Sequence, residues 1–139
     1  VLANAISDRH PDHGRGSKLV SEACFLSGLR KLNTKWEGAE QLAFRPKFVY
    51  HYIQDHYLKP DFAIDVTDFV DKKMEAIKAY KTQFHNPNSK EPQTPISGED
   101  FLDFIKGRML QYGRSIGVKY AEGFQVERTI GVDSFFDLH

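Results

Sequence analysis

The chain has 139 residues, 40% hydrophobic and 27% charged, and its 19 basic and 19 acidic side chains balance to a net charge of zero. That length and composition suit one ordinary globular domain, and the neutral balance excludes a global field that would draw the chain to nucleic acid or an anionic membrane. The single cysteine, Cys24, excludes an internal disulfide, and neither an apolar run of ~18 residues nor an export-signal pattern is present, so the expected location is the cytoplasm.

The opening run VLANAIS reads as a strand already in progress, of the kind buried in a parallel sheet, which leads us to expect a chain missing its N-terminal portion. A turn containing two histidines follows. After it, Leu19, Ala23, Leu26 and Leu29 fall at helical spacing and predict a helix packed on a sheet, with Gly28, Arg30 and Lys31 near its negative end. Residues 33–46 read as a loop anchored by Trp36. KFVYHYIQDHY and DFAIDVTD are rich in β-branched and aromatic residues and predict strands. From Thr67 a helical stripe runs through Val70, Met74, Ile77, Tyr80 or Lys81, and Phe84. Pro87, Pro92 and Pro95 then mark a loop. Ser97 with Asp100 predicts a capped helix burying Phe101, Ile105, Met109, Tyr112 and Ile116, and VKYAEGFQVER closes with a strand. This order argues for an α/β fold, a Rossmann-like layered sheet with flanking helices, incomplete at the N-terminus.

The stretch SDRHPDHGRGSK carries the chemistry. In open α/β sheets, sites form beyond the carboxyl ends of strands, where His10 and His13 are expected. Pro11 biases His10 away from helical geometry, so the two rings need not share a helix face. A neutral imidazole is a common metal ligand, and a nearby carboxylate such as Asp12 can orient a ring and raise its basicity. The plainer alternative is that Asp12 caps a helix and the histidines are solvated. Catalytic zinc needs about three protein ligands and a water, more than this motif holds.

DRHPDHGRGSKLVSEACFLSGLRK resembles the second signature of the LmbE-like zinc deacetylases, the family of N-acetylglucosaminyl-phosphatidylinositol de-N-acetylases. KPDFAIDVTDFVDKKMEAIKAYKTQF and GVKYAEGF resemble, in the same order, the bacillithiol-biosynthesis branch, which hydrolyses the acetamide of N-acetylglucosaminyl-malate. The resemblance implies that His13 is a Zn2+ ligand, that His10 stabilises the oxyanion and protonates the leaving amine, and that Asp12 tunes His10. It implies a small-molecule glycoside substrate, one zinc ion in the complete protein, and a homo-oligomer without nucleic-acid or membrane partners. The family's first signature, which supplies two further zinc ligands and a general-base aspartate, is absent, so the chain by itself is expected to be inactive. The competing reading is a non-catalytic binding or structural module of the same fold, completed by another chain.

Other residues carry expectations of their own. Tyr80 and Gln83, in the YxxQF stretch that the family keeps near its pocket, are candidate substrate contacts; otherwise Tyr80 packs in the core. His51 and His56 lie on opposite faces of a predicted strand, which favours packing or solvation over a shared metal. His85 and His139 read as solvent-facing. GRGSK lacks P-loop spacing, and Gly14 and Gly16 are read instead as letting backbone pass close to the site at the helix start. Cys24 reads as buried filler, Glu122 has no assigned role, and Gly123 reads as a structural turn or a sugar contact.

Overall fold

Pro11 sets the start of the first helix. Its fixed φ suits the first helical turn, where its missing amide hydrogen would have no partner anyway. In the computed structural model, which describes residues 1–84, 88 and 90–138, helix α1 spans Pro11–Leu26. The helix therefore begins between the two histidines, earlier than the periodicity suggests, and places Asp12 and His13 in its first turn. It also ends earlier, so Arg30 and Lys31 lie beyond its last turn, which holds no basic residue.

Strands β1 (Leu2–Ala3), β4 (Tyr50–Tyr52), β5 (Phe62–Asp65) and β6 (Ala121–Val126) form a four-stranded sheet in the order β1-β4-β6-β5. Strand β1 runs parallel to β4, with Leu2 opposite Tyr50 and Ala3 opposite His51. Strand β4 runs antiparallel to β6, with His51 opposite Gln125 and Tyr52 opposite Phe124. The sheet is thus mixed, and β4 is shorter than its β-prone sequence suggests. His56 lies beyond β4. Helices α2 (Val70–Lys78) and α3 (Asp100–Ser115) complete an α/β architecture.

The chain divides into two compact units, Val1–Phe62 with Gly123–His139, and Ala63–Glu122. In the first, Ala3, Ala5 and Phe124 are buried together with Ser17 and His51. Phe48, Tyr50, Phe62 and Phe124 form a chain of ring contacts 5.2–5.7 Å apart. The close approach expected at the glycines is present: a Cβ on Gly14 would sit 3.3 Å from the Ile6 carbonyl oxygen, and one on Gly16 3.3 Å from Asn4 Oδ1.

Several expectations for this unit are overturned. Leu19, Ala23 and Leu26 do not pack on the sheet: Leu19 is 68% and Leu26 44% exposed, and Ser17 is the buried residue of α1. Periodicity identified a stripe, but the helix turns a different side inward, with Ser17 buried and Val20, Ser21 and Cys24 half-buried. Cys24 is half-buried. Residues 33–46 are not simply a loop; β2 (Thr34–Trp36) and β3 (Ala39–Gln41) form a hairpin whose turn places Glu37 at φ 51° and Gly38 at φ 84°. Those left-handed angles at both central positions belong to the turn that matches the twist of a two-stranded ribbon. Trp36 is 68% exposed, not buried as an anchor.

The second unit has its own apolar core. Val70 and Met74 from α2 meet Met109 from α3, with Val66, Ile77, Leu102, Ile105 and Tyr120 packed around them. A 3-10 turn, Thr67–Phe69, leads into α2, and the helix stops at Lys78, short of Phe84. Helix α3 starts at a different cap from the expected one. Its N-cap is Glu99, whose side chain does not cap the helix, and the Ser97 hydroxyl is instead engaged with the amide and carbonyl of Thr94. Gly117, at φ 75°, ends the helix and returns Val118 N–H to the Gly113 carbonyl at 3.0 Å. Gly123 is buried within β6 and makes no turn. His85 and His139 lie outside the described residues.

Candidate metal and catalytic site

The segment leaving β1 passes through Asp8 before reaching His10, and Asp8 organises the site. Its side chain is fully enclosed. Oδ1 accepts the amides of Arg9 (2.9 Å), Asp55 (3.1 Å) and His56 (2.8 Å), while Oδ2 lies 2.5 Å from His13 Nδ1. A carboxylate can only accept, so the shared proton sits on Nδ1 and the lone pair of a neutral His13 ring is on Nε2. Desolvation pushes the Asp8 carboxyl up, but the bonds from His56, His13, Arg9 and Asp55 outweigh it and hold the carboxyl below its ordinary range. Arg9 also pairs with Asp55, tying the segment after β4 to the same turn.

His10 is the N-cap of α1, with extended backbone geometry, and its Nδ1 accepts the Asp12 amide at 3.3 Å. A neutral ring holding that bond carries its proton on Nε2. The Asp12 carboxylate sits 3.8 Å from His10 Nδ1, beyond hydrogen-bonding reach, and instead bonds Arg15 at 3.1 Å. The two imidazoles lie with centroids 5.4 Å apart, His10 half-exposed and His13 about a third exposed. The first unit thus brings His10, Asp12 and His13 together, with Asp8 as a participant that sequence reasoning passed over, although it lies two residues before the first histidine.

A second feature was also missed. His51, on β4, is 1% exposed and bonded at both ring nitrogens. Nδ1 lies 2.8 Å from the Asn4 carbonyl oxygen and 3.0 Å from Ser17 Oγ, and Nε2 lies 2.9 Å from Glu127 Oε1. The carbonyl and the carboxylate are acceptors, so the ring donates from both nitrogens, the bonding pattern of an imidazolium. Glu127 also accepts from Ser21; desolvation opposes its charge, but Ser21 and His51 together hold its carboxyl below the usual range. This network ties β4 and α1 to the residues that follow β1 and β6, one helical turn below His13.

Tyr80 and Gln83 belong to the second unit, in the turns after α2. Tyr80 is 62% exposed rather than packed in a core, and Gln83 donates its amide to the Tyr80 carbonyl at 3.0 Å. Glu122 pairs with Lys73 at 2.5 Å. Among the described residues no set of three or more His, Cys, Asp or Glu side chains converges on a metal position. No described helix is long and apolar enough to cross a membrane.

No family model matches the chain. A curated relative, diacetylchitobiose deacetylase from Thermococcus kodakarensis, is 26% identical over 117 residues, which is 84% of this chain and 39% of that protein. The N,N'-diacetylchitobiose deacetylase from Pyrococcus horikoshii, solved with its inhibitor MPG, superposes with a TM-score of 0.64 at 25% identity, covering 91% of this chain and 44% of that one. The chain is similar to sugar deacetylases. It spans well under two thirds of these relatives. The conserved protein TT1542 from Thermus thermophilus matches with a TM-score of 0.77 and 28% identity over 97% of this chain and 54% of its own. The hydratase GalB from Pseudomonas putida, at 22% identity and a TM-score of 0.63, shares the fold.

Proposed function

We propose that this chain carries part of the active site of a zinc-dependent N-deacetylase acting on a small glucosamine conjugate such as N-acetylglucosaminyl-malate. The observation that carries the reading is the His13 ring, held by a buried carboxylate at Nδ1 with Nε2 free, beside a second imidazole whose Nδ1 is also engaged. The similarity to deacetylases of acetylated sugars supports the reaction class.

The donor set fits a metal at one position. An imidazole bonded to a carboxylate through one nitrogen is the usual form of a histidine ligand, and here that is His13, with the remaining ligands lying outside the described cluster. A bound zinc ion would polarise the amide carbonyl and ease the ionisation of water. In the reaction water adds to the acetamide carbon, the C–N bond breaks, and acetate and a free amine leave; the base that takes the water's proton belongs to the signature absent from this chain, and the chain's own residues serve the oxyanion and the departing amine. His10, with its Nδ1 lone pair taken by the Asp12 amide, presents Nε2–H to the developing oxyanion. When the ring gives up the Asp12 amide bond and takes a second proton on Nδ1, it becomes the imidazolium that supplies the proton the departing nitrogen needs. Asp12 holds its carboxylate near the imidazolium, within 3.8 Å of Nδ1, and is itself steadied by Arg15. Tyr80 and Gln83 are the candidate sugar contacts, and the working protein is a cytoplasmic homo-oligomer with no nucleic-acid or membrane partner.

The test is amine release from N-acetylglucosaminyl-malate and from diacetylchitobiose by the full native protein, with bound metal measured on the same samples. His13→Ala is expected to lose the metal, whereas His10→Ala keeps it and loses ~10²–10³ in rate. If zinc-loaded protein releases amine from neither substrate, or if both variants retain metal equally, the reading is wrong.

A further inference from the structure

We propose that Asp8 is the positioning residue of the metal ligand: its enclosed carboxylate locks His13 as the Nδ1–H tautomer and so keeps the Nε2 lone pair available. The inference rests on reading His13 as a ligand, and it goes further by assigning the tautomer to a residue outside the HPDH motif.

Three observations carry it. First, the Asp8 side chain is 0% exposed, so it is not a solvated turn residue. Second, its two oxygens divide their work. Oδ1 takes three main-chain amides, from Arg9, Asp55 and His56, which fixes the plane of the carboxylate, and Oδ2 is left for the ring at 2.5 Å. Third, none of those amides belongs to α1, and the cap of that helix is His10, so Asp8 is not serving as a helix cap. The backbone of α1 holds one end of the His13 side chain and Asp8 holds the ring. With both ends fixed, the imidazole has one tautomer and little freedom to rotate. A ring whose proton could move to Nε2 would spend part of its time unable to bind metal.

The experiment reads the tautomer directly, by 15N NMR of the His13 ring in the metal-free full native protein, and reads zinc affinity separately. The wild-type ring is expected to show protonated Nδ1 and bare Nε2. Asp8→Asn keeps an oxygen for the three amides but turns an NH2 group towards the ring, so Nδ1 must accept and the proton moves to Nε2. The expected result is an inverted tautomer with zinc affinity lower by ~10–100-fold. Asp8→Ala, which removes the partner altogether, should give a mixed tautomer and a comparable fall. A wild-type ring protonated at Nε2 overturns the proposal, and that measurement needs no variant to fold. So does an Asp8→Asn ring that stays protonated at Nδ1, or a tautomer shift that leaves affinity within about twofold. His13→Ala separates the two claims: unchanged zinc affinity there refutes the ligand reading, whereas lost affinity with an indifferent Asp8→Asn refutes the positioning role alone.

Discussion

His51→Phe keeps most of the ring's volume and removes both of its donors, which isolates the polar network from simple packing. The substitution leaves the Asn4 carbonyl and the buried Ser17 hydroxyl without their ring partner, and takes the partner of Glu127 as well. A buried acceptor stripped of its donor costs about 1–3 kcal/mol. Glu127, at 39% side-chain exposure, recovers part of its loss from water, so its share is small. The expected total is about 3 kcal/mol, a large part of the roughly 5–15 kcal/mol that holds a domain folded, and it corresponds to a fall of roughly 10 °C in Tm. Urea unfolding followed by far-UV circular dichroism measures it, because Trp36 is too exposed to report on the core. A loss below about 0.5 kcal/mol would refute the account, since it would mean that the three bonds contribute nothing net. The charge on Glu127 adds a pH signature. Its folded pKa is depressed from an ordinary value of 4.5, so its contribution is complete above that value and is lost as pH falls through the folded one. The stability gap between wild type and Glu127→Gln should therefore close on acidification, and a gap that widens would reverse the sign of the argument.

Two further substitutions probe the backbone. Gly113→Ala in α3 gains about 1 kcal/mol of helix propensity, yet its Cβ would sit 2.6 Å from the Lys119 carbonyl oxygen and 2.8 Å from that of Val118. A net loss above about 1 kcal/mol in urea melts is expected, and a stabilised variant would show that this turn yields easily. Glu37→Asn places a residue tolerant of the left-handed region at φ 51° in the β2–β3 turn, and should raise stability by a few tenths of a kcal/mol up to ~1, read as an increased urea midpoint; a lower midpoint would show that the Glu37 side chain contributes to the turn.

What the sequence revealed followed the reach of each local signal. The HPDH segment declares itself because its residues are neighbours, and a proline fixes where the helix begins. The stripes through Met74 and Met109 were legible because α2 and α3 bury those faces against each other in one unit. The same reasoning failed for Leu19 and Leu26, since periodicity marks an apolar face but not whether anything covers it. The hairpin was hidden because Glu37 takes a left-handed angle that its residue type does not advertise. His51 escaped for a different reason. Its partners Ser17 and Glu127 lie 34 and 76 positions away, and no local pattern encodes a bond closed at that separation. Asp8 stood in plain view but was silent, because its importance comes from burial rather than from spacing.

The three amides that orient Asp8 have an evolutionary consequence. Two of them come from Asp55 and His56, and an amide is donated by any residue except proline. At position 56, where the side chain is exposed, natural variation can replace the histidine many times over without moving the carboxylate it helps to hold. Divergent homologues are therefore expected to show an acidic residue at position 8, almost arbitrary identity at position 56, and a proline there only at the expense of the site. A constraint of that kind is inherited through the main chain, and it shows in an alignment as a single forbidden residue.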